Sequence, residues 1–313
     1  MRTADSPGRA IFRGYPNGGI FTKRRILVIC FGAALFLAAL GLTLYPVISN
    51  YVNQKYASEI FIAYQEVISQ TDNSVLVQER EKAVAYNQAL VPGAESDNGY
   101  TQEALQSASE DYDSILNLSG DGIMGYIEIP KINVHLPIYH GTGDSSLNKG
   151  VGHLLGSSLP VGGESTHSIL SGHSGMASQT MFTDLEQLDI GDVFCLYVLD
   201  DVLAYQVTEI NTVLPIDTSL LGIWEGEDYC TLVTCTPYGV NTHRLLVTAS
   251  RIPYEEAEQI TEQTEAAGST GSHWMQYYLR GLEIGLAVVA GFLLAAVILY
   301  FLWKWAYRRL HHG

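Results

Sequence analysis

The chain has 313 residues, 47% of them hydrophobic, and a formal net charge of −16 from 17 Lys/Arg against 33 Asp/Glu. So acidic a composition argues against nucleic acid as a partner, because such binding relies on neutralising phosphates. Four cysteines make no disulfide framework, and no spacing of His and Cys resembles a zinc site, so no metal is expected.

In chain order, the first feature is Ile26 to Leu44, an uncharged apolar run long enough to cross a hydrocarbon core of about 30 Å. A second such run covers Ile284 to Trp303. Arg2, Arg9, Arg13, Lys23, Arg24 and Arg25 precede the first, and Lys304, Arg308 and Arg309 follow the second. Basic residues at the two outer ends predict that both termini are cytoplasmic and that everything between faces outside. A cleaved signal peptide is the alternative for the first run. It is longer than the usual apolar stretch of about 7–15 residues, and Tyr45-Pro-Val-Ile-Ser-Asn50 is a poor small-residue cleavage site.

Between Tyr51 and Val91 there is neither Pro nor Gly. Tyr56, Ile60, Tyr64, Val67 and Ile68 fit a helical stripe, and a second stripe runs from Val77 to Leu90. Pro92-Gly93 ends it, Ala94 to Gly99 is turn-like, and Thr101 to Leu118 reads as helix again. From Ile123 strand signals dominate: Tyr126–Ile129, Val134–Tyr139, Ile169–Leu170, Val193–Leu199 and Ala204–Val213. Many short strands with Gly and Pro turns predict an antiparallel barrel or sandwich. Glu255 to Ser272, charged and then small and polar, reads as a linker. The outer region 51–280 carries eight Lys/Arg, outnumbered about four to one by acidic residues. Long-range attraction of basic or lysine-bearing partners is one reading of that surface, and plain solvation is the other.

The chemistry concentrates in Thr231-Leu-Val-Thr-Cys-Thr-Pro-Tyr-Gly-Val-Asn-Thr-His-Arg-Leu-Leu-Val247. Thr231 to Cys235 reads as one strand and Thr242 to Thr248 as the returning one, with Pro237, Gly239 and Asn241 between. A thiol at a strand end can face a cleft, and an arginine on the neighbouring strand favours its reactive thiolate. Cys235 and Arg244 are therefore candidates for one site. His243 is nearest in sequence, but adjacent strand residues face opposite sides. His135 and His140 fit ordinary surface or core positions. His173 follows Leu170-Ser-Gly at a strand-to-loop transition, where a side chain can reach a neighbouring strand end. Cys230 lies an odd offset from Cys235 and so points the other way. Cys195 and Cys230 are expected to be buried free thiols, with a disulfide between them the alternative.

These residues resemble the active-site segment of the sortases, cysteine transpeptidases of Gram-positive cell surfaces, and most closely the pilin-polymerising class C. Upstream matches are Gly122-Ile-Met-Gly-Tyr-Ile-Glu-Ile-Pro-Lys-Ile132, Leu136-Pro-Ile-Tyr-His-Gly-Thr142, Gly150-Val-Gly-His-Leu154, Ser158-Leu-Pro-Val-Gly-Gly163 and Leu170-Ser-Gly-His-Ser-Gly175. In family order, the matches span roughly 121 to 253. The resemblance implies a mainly β fold, an eight-stranded sortase-type barrel with an N-terminal helical arm, flanked by two transmembrane helices. The organisation implied is a tail (1–25), a membrane helix (26–48), an outer helical arm (49–120), a catalytic barrel (121–253), a linker (254–281), a second membrane helix (282–303) and a tail (304–313).

The same resemblance implies Cys235 as nucleophile, His173 as proton shuttle and Arg244 as oxyanion and substrate holder, with Thr234 and Thr236 as substrate contacts. Its partners would be proteins bearing an LPxTG-like signal, a lysine-bearing pilin acceptor and membrane lipid, with no cofactor. Class C lids carry Asp-Pro-aromatic. Here Glu95-Ser-Asp-Asn-Gly-Tyr100 lacks the proline, and its ring stands three places after Asp97. Either Asp97 and Tyr100 form a degenerate lid over 94–100, or the cover is absent or open. The rival readings are an anchoring sortase with a peptidoglycan amine as acceptor, and a catalytically silent two-pass membrane scaffold.

Overall fold

The computed structural model describes residues 18–90, 111–176, 178–267 and 273–311. Helix α1 (Gly18–Gln70) contains the first apolar run, and among the described residues it holds the one candidate membrane span, from Ile26. The described residues divide into two compact units between Pro46 and Val47, and the barrel belongs to the second. Helix α2 (Asn73–Ala89) comes directly after α1. Eight strands then close a barrel: β1 (Ile123–Ile129), β2 (Val134–His140), β3 (Val151–His153), β4 (Thr166–Ser171), β5 (Val193–Val198), β6 (Asp201–Val213), β7 (Asp228–Thr236) and β8 (His243–Ile252). Their order around the barrel is β1-β2-β3-β4-β7-β8-β6-β5. A short helix α3 (Asp144–Leu147) precedes β3, and α4 (Tyr254–Ala267) and α5 (His273–His311) follow β8.

The expected barrel is present, but it is not purely antiparallel. Strands β2 and β3 pair in parallel, and so do β4 and β7. The strand β3, only three residues long, carries too little period-2 pattern to be read from sequence. Alternation divides the side chains. Phe194 and Leu196 of β5, Cys230 and Leu232 of β7, and Leu245 and Val247 of β8 join the main core. Val233 and Leu246 face the opposite way and pack with Ile169 and Leu221 on the outer side.

Helix α1 covers the barrel with Ala57, Ile60, Phe61, Tyr64 and Ile68, whereas Tyr56, expected in this stripe, is exposed. The Tyr64 hydroxyl donates to Met124 O (3.2 Å) and accepts from Leu199 N (2.9 Å). Helix α2 contributes buried Leu76, Ala83 and Tyr86, so its stripe begins one residue before Val77. Asn87 brackets Leu159, accepting its N–H at 2.7 Å and donating to its carbonyl at 3.1 Å.

Two expectations are corrected. Within the described part of 101–118 there is only a 3-10 turn, Tyr112–Ser114. Ser114 and Asn117 bond back to the carbonyls of Asp111 and Asp113, an alternative to helix that short polar side chains favour. The linker expected over 254–281 instead opens as helix α4. Glu255 and Glu256 lie in its positive first turn, and Ala257 is buried against Val193, Cys195 and Ala204. Cys195 and Cys230 are buried free thiols, in separate clusters on opposite faces of the sheet. Burial pushes the Cys195 thiol up to about 11.

Candidate active site

The β7–β8 hairpin fixes two of the three proposed residues by ladder register. Cys235 stands directly opposite Arg244, as Val233 does opposite Leu246. Opposed residues of an antiparallel pair share a face, with Cβ atoms roughly 4.5–5.5 Å apart. Both side chains therefore project from the outer face, on the same side as the apolar patch of Val233 and Leu246. Cys235 is half-buried. The turn between the strands is closed by Pro237 O, which accepts from Val240 N and Asn241 N, both at 3.0 Å. Asn241 takes the left-handed region, φ 60°. The Arg244 guanidinium is tethered to its own turn, donating to His243 O at 3.0 Å.

His173 arrives on the other side of β7. Strand β4 runs parallel to it with Ser171 level with Val233, so the chain leaves β4 beside the cysteine's end of β7. Gly172 is held through both its main-chain polar groups: its N–H donates to Val233 O (3.0 Å) and its carbonyl accepts the Thr234 hydroxyl (2.8 Å). The His173 carbonyl accepts Phe182 N–H at 3.0 Å, and Gly175 N–H donates to Thr183 Oγ1 at 3.0 Å. Gly172 is required here on steric grounds, since a Cβ would stand 2.6 Å from the buried Phe182 ring. Gly175, at φ 78°, lies under the Tyr238 ring, 3.4 Å from where a Cβ would be.

The other barrel histidines are engaged elsewhere. The His153 ring bonds the Tyr112 hydroxyl (2.9 Å) and Ser158 O (2.9 Å). The His167 ring bonds Gly222 O and Thr231 Oγ1, both at 2.7 Å. Burial lowers each of these two to about 4, so both are neutral spacers at physiological pH. His140 bonds the carbonyls of Gly122 and Ile115, His135 packs on Phe61, and His243 turns to Thr242, away from Arg244. Among the described residues, no hydrogen bond occupies the His173 ring.

Thr234 does not fit its expected role. Its side chain is buried and its hydroxyl is spent on Gly172 O, so it clamps the histidine segment rather than facing a substrate. Thr236 is half-buried at the strand end, opposite His243. Asp97 and Tyr100 lie outside the described residues. Sequence reasoning missed Phe182, Thr183 and Tyr238, whose roles follow only from tertiary contact. The one sequence cue was the glycine pair flanking His173 with a residue between, which marks close backbone approach.

A family model described as the sortase domain matches residues 127–252. Sortase C1 of Streptococcus agalactiae has 44% identity, a TM-score of 0.56, and alignment over 62% of this chain and 98% of that one. The chain belongs to the sortase family. Sortase C of Streptococcus pneumoniae matches with 42% identity and a TM-score of 0.56, over 63% of this chain and 97% of the other. Its solved structural neighbours include these class C sortases, and the barrel is the fold they share. Sortase D of Bacillus subtilis is 35% identical over 114 residues, 36% of this chain and 54% of that protein. This chain thus spans about half the length of that curated relative, and 62% of a sortase A from Streptococcus agalactiae.

Proposed function

We propose that this sortase is a membrane-anchored cysteine transpeptidase whose reaction centre is Cys235, His173 and Arg244. The observation that carries the reading is the register of β7 with β8, which sets a thiol and a guanidinium on one face beside the end of β4. The Cys235 thiolate attacks the Thr carbonyl carbon of an LPxTG-like signal, and Arg244 donates to the developing oxyanion. The Thr–Gly C–N bond breaks, and the leaving amine takes a proton from the His173 imidazolium. A thioester on Cys235 remains. A lysine ε-amine then attacks it, gives a proton to His173 and expels the thiolate, leaving an isopeptide bond. The steps need no cofactor. An arginine suits the oxyanion role because it stays charged and offers a fixed fork of donors.

A pilin lysine is the acceptor we favour. Support comes from the class C neighbours, of which the Streptococcus pneumoniae enzyme is described with its pilin substrate specificity and one Streptococcus agalactiae enzyme with a pilus island. Both apolar runs would cross the membrane, leaving both termini cytoplasmic and the barrel outside. The second run lies on the 39-residue helix α5, where Ile284, Leu286, Leu294 and Leu299 are exposed. Residues 94–100, with Asp97 and Tyr100, would form a lid lacking the stiffening proline. Anchoring to a peptidoglycan amine is the second reading of the same chemistry. Cells carrying only Cys235→Ala decide the first point: the account expects no high-molecular-weight pilin ladders, and persistent ladders would overturn it.

A further inference from the structure

The loop that carries His173, described at residues 172–176 and 178–181, has two supports. One is the barrel side, through Gly172, Phe182 and Thr183. The other is α1, far away in sequence: Asn50 Oδ1 accepts both Thr180 N–H (3.0 Å) and Thr180 Oγ1–H (2.9 Å), and Asn53 Nδ2 donates to Ser178 O (3.1 Å). All four residues are half-buried. We infer that Asn50, assisted by Asn53, is a positioning residue for His173, so that the segment of α1 just after Pro46 sets the histidine's placement. This rests on His173 being the acid–base group proposed above.

The connection from Asn50 to His173 is short. Thr180 O accepts Thr183 N–H at 2.9 Å, and Thr183 Oγ1 accepts Gly175 N–H at 3.0 Å. Phe182, two residues from Thr180, holds the His173 carbonyl through its own N–H. A shift of Thr180 is therefore passed to the chain at His173 itself and two residues after it. Apolar packing holds the end of the loop, where Met181 is buried, but not its middle. The α1 side of the loop borders a cavity of about 130 Å³ whose lining includes Asn50, Asn53, Gln54, Asn133 and Gln179. At Ser178 and Thr180 the bonds from Asn53 and Asn50 are the directional contacts that tie the loop to α1. Helix α1 does not need Asn50 to stay on the barrel, since its buried stripe and the two Tyr64 bonds hold it independently. Proton transfer requires heavy atoms about 2.6–3.2 Å apart, and a displacement of about 1 Å can cost on the order of a hundredfold in rate.

The test uses the full-length protein in detergent with an LPxTG peptide, measuring kcat, KM and the pH profile of kcat/KM. Asn50→Leu should lower kcat about tenfold with KM unchanged and the thermal midpoint nearly unmoved, and should displace the pH profile. Thr180→Val, which removes one of the two donors from within the loop, should do the same more weakly, and Thr180→Ser should restore wild-type behaviour. His173→Ala is run beside them. If it turns over at the wild-type rate, the acid–base assignment itself is wrong. If it is inactive while Asn50→Leu and Thr180→Val keep normal kcat and pH profiles, the positioning role alone is overturned. Thr180→Ser as impaired as Thr180→Val also overturns it.

Discussion

The two halves of the site are held by different physics. Cys235 and Arg244 sit on adjacent strands of one hairpin, and nine residues of sequence place them opposite each other through the backbone ladder. His173 sits just past the end of β4, in a loop located by bonds from β7, from Phe182 and Thr183, and from α1 some 130 positions earlier. A ladder position tolerates side-chain change because main-chain groups define it. A loop position depends in part on side-chain contacts, here those of Thr183, Thr234 and Asn50, that a single substitution can remove. The histidine side should therefore be the easier one to disturb without touching a reacting group.

Acidification should expose that difference most strongly. His153 in β3 and His167 in β4 are the buried rings nearest the histidine's strand, and His167 also ties β4 to Thr231 of β7. Folding lowers both to about 4 from the usual 6.5. Between those values the unfolded chain binds more protons than the folded one, so stability falls as pH falls from about 6.5 to about 4. Each ring accounts for on the order of 3 kcal/mol over that window. Denaturant unfolding at pH 7 and pH 4.5 checks this, and His167→Gln should flatten the slope.

Arg244→Lys addresses the hairpin half. Charge is retained, but an ammonium cannot reproduce the planar fork, so kcat/KM should fall about a hundredfold with the fold intact. Near-normal rates would make Arg244 a structural tether for its own turn. Gly172→Ala addresses the loop half. Its Cβ would press on the Phe182 ring, so kcat should drop about tenfold, and adding Phe182→Leu should recover part of the loss. Equal activity in Gly172→Ala would show that the loop is less tightly located than its hydrogen bonds suggest. The smallest effect belongs to Asp97→Ala: if the segment is a lid in which Asp97 pairs with Arg244, the change should speed thiol labelling of Cys235 only a few-fold, because an accessible ion pair is worth about 1 kcal/mol or less. Deleting 95–100 should do no more, and unchanged labelling in both would mean that the segment is not a cover.

The same contrast decides what was legible in the sequence. Local strand signals mark seven of the eight strands, and the hairpin motif brings Cys235 and Arg244 to one site, because both are local consequences of backbone geometry. Strand β3 was too short to show a period. The parallel joints were invisible, because pairing partners distant in sequence leave no local pattern. Helix α4 was misread as linker because its apolar face consists of little beyond Ala257 and Ile260. His173 was found through its motif, but nothing in the sequence announced that Asn50 and Thr234 would hold its loop. The substrate contact that the resemblance implies for Thr234 runs against strand alternation, which turns it inward.

The central claim is that Cys235 carries the acyl group, and intact-mass spectrometry of the purified protein with an LPxTG peptide tests it most directly. The account predicts an adduct equal to the peptide through its threonine, located at Cys235, absent from Cys235→Ala and discharged by an added amine. Peptide cleavage without any such adduct, or an adduct that survives in Cys235→Ala, would contradict it.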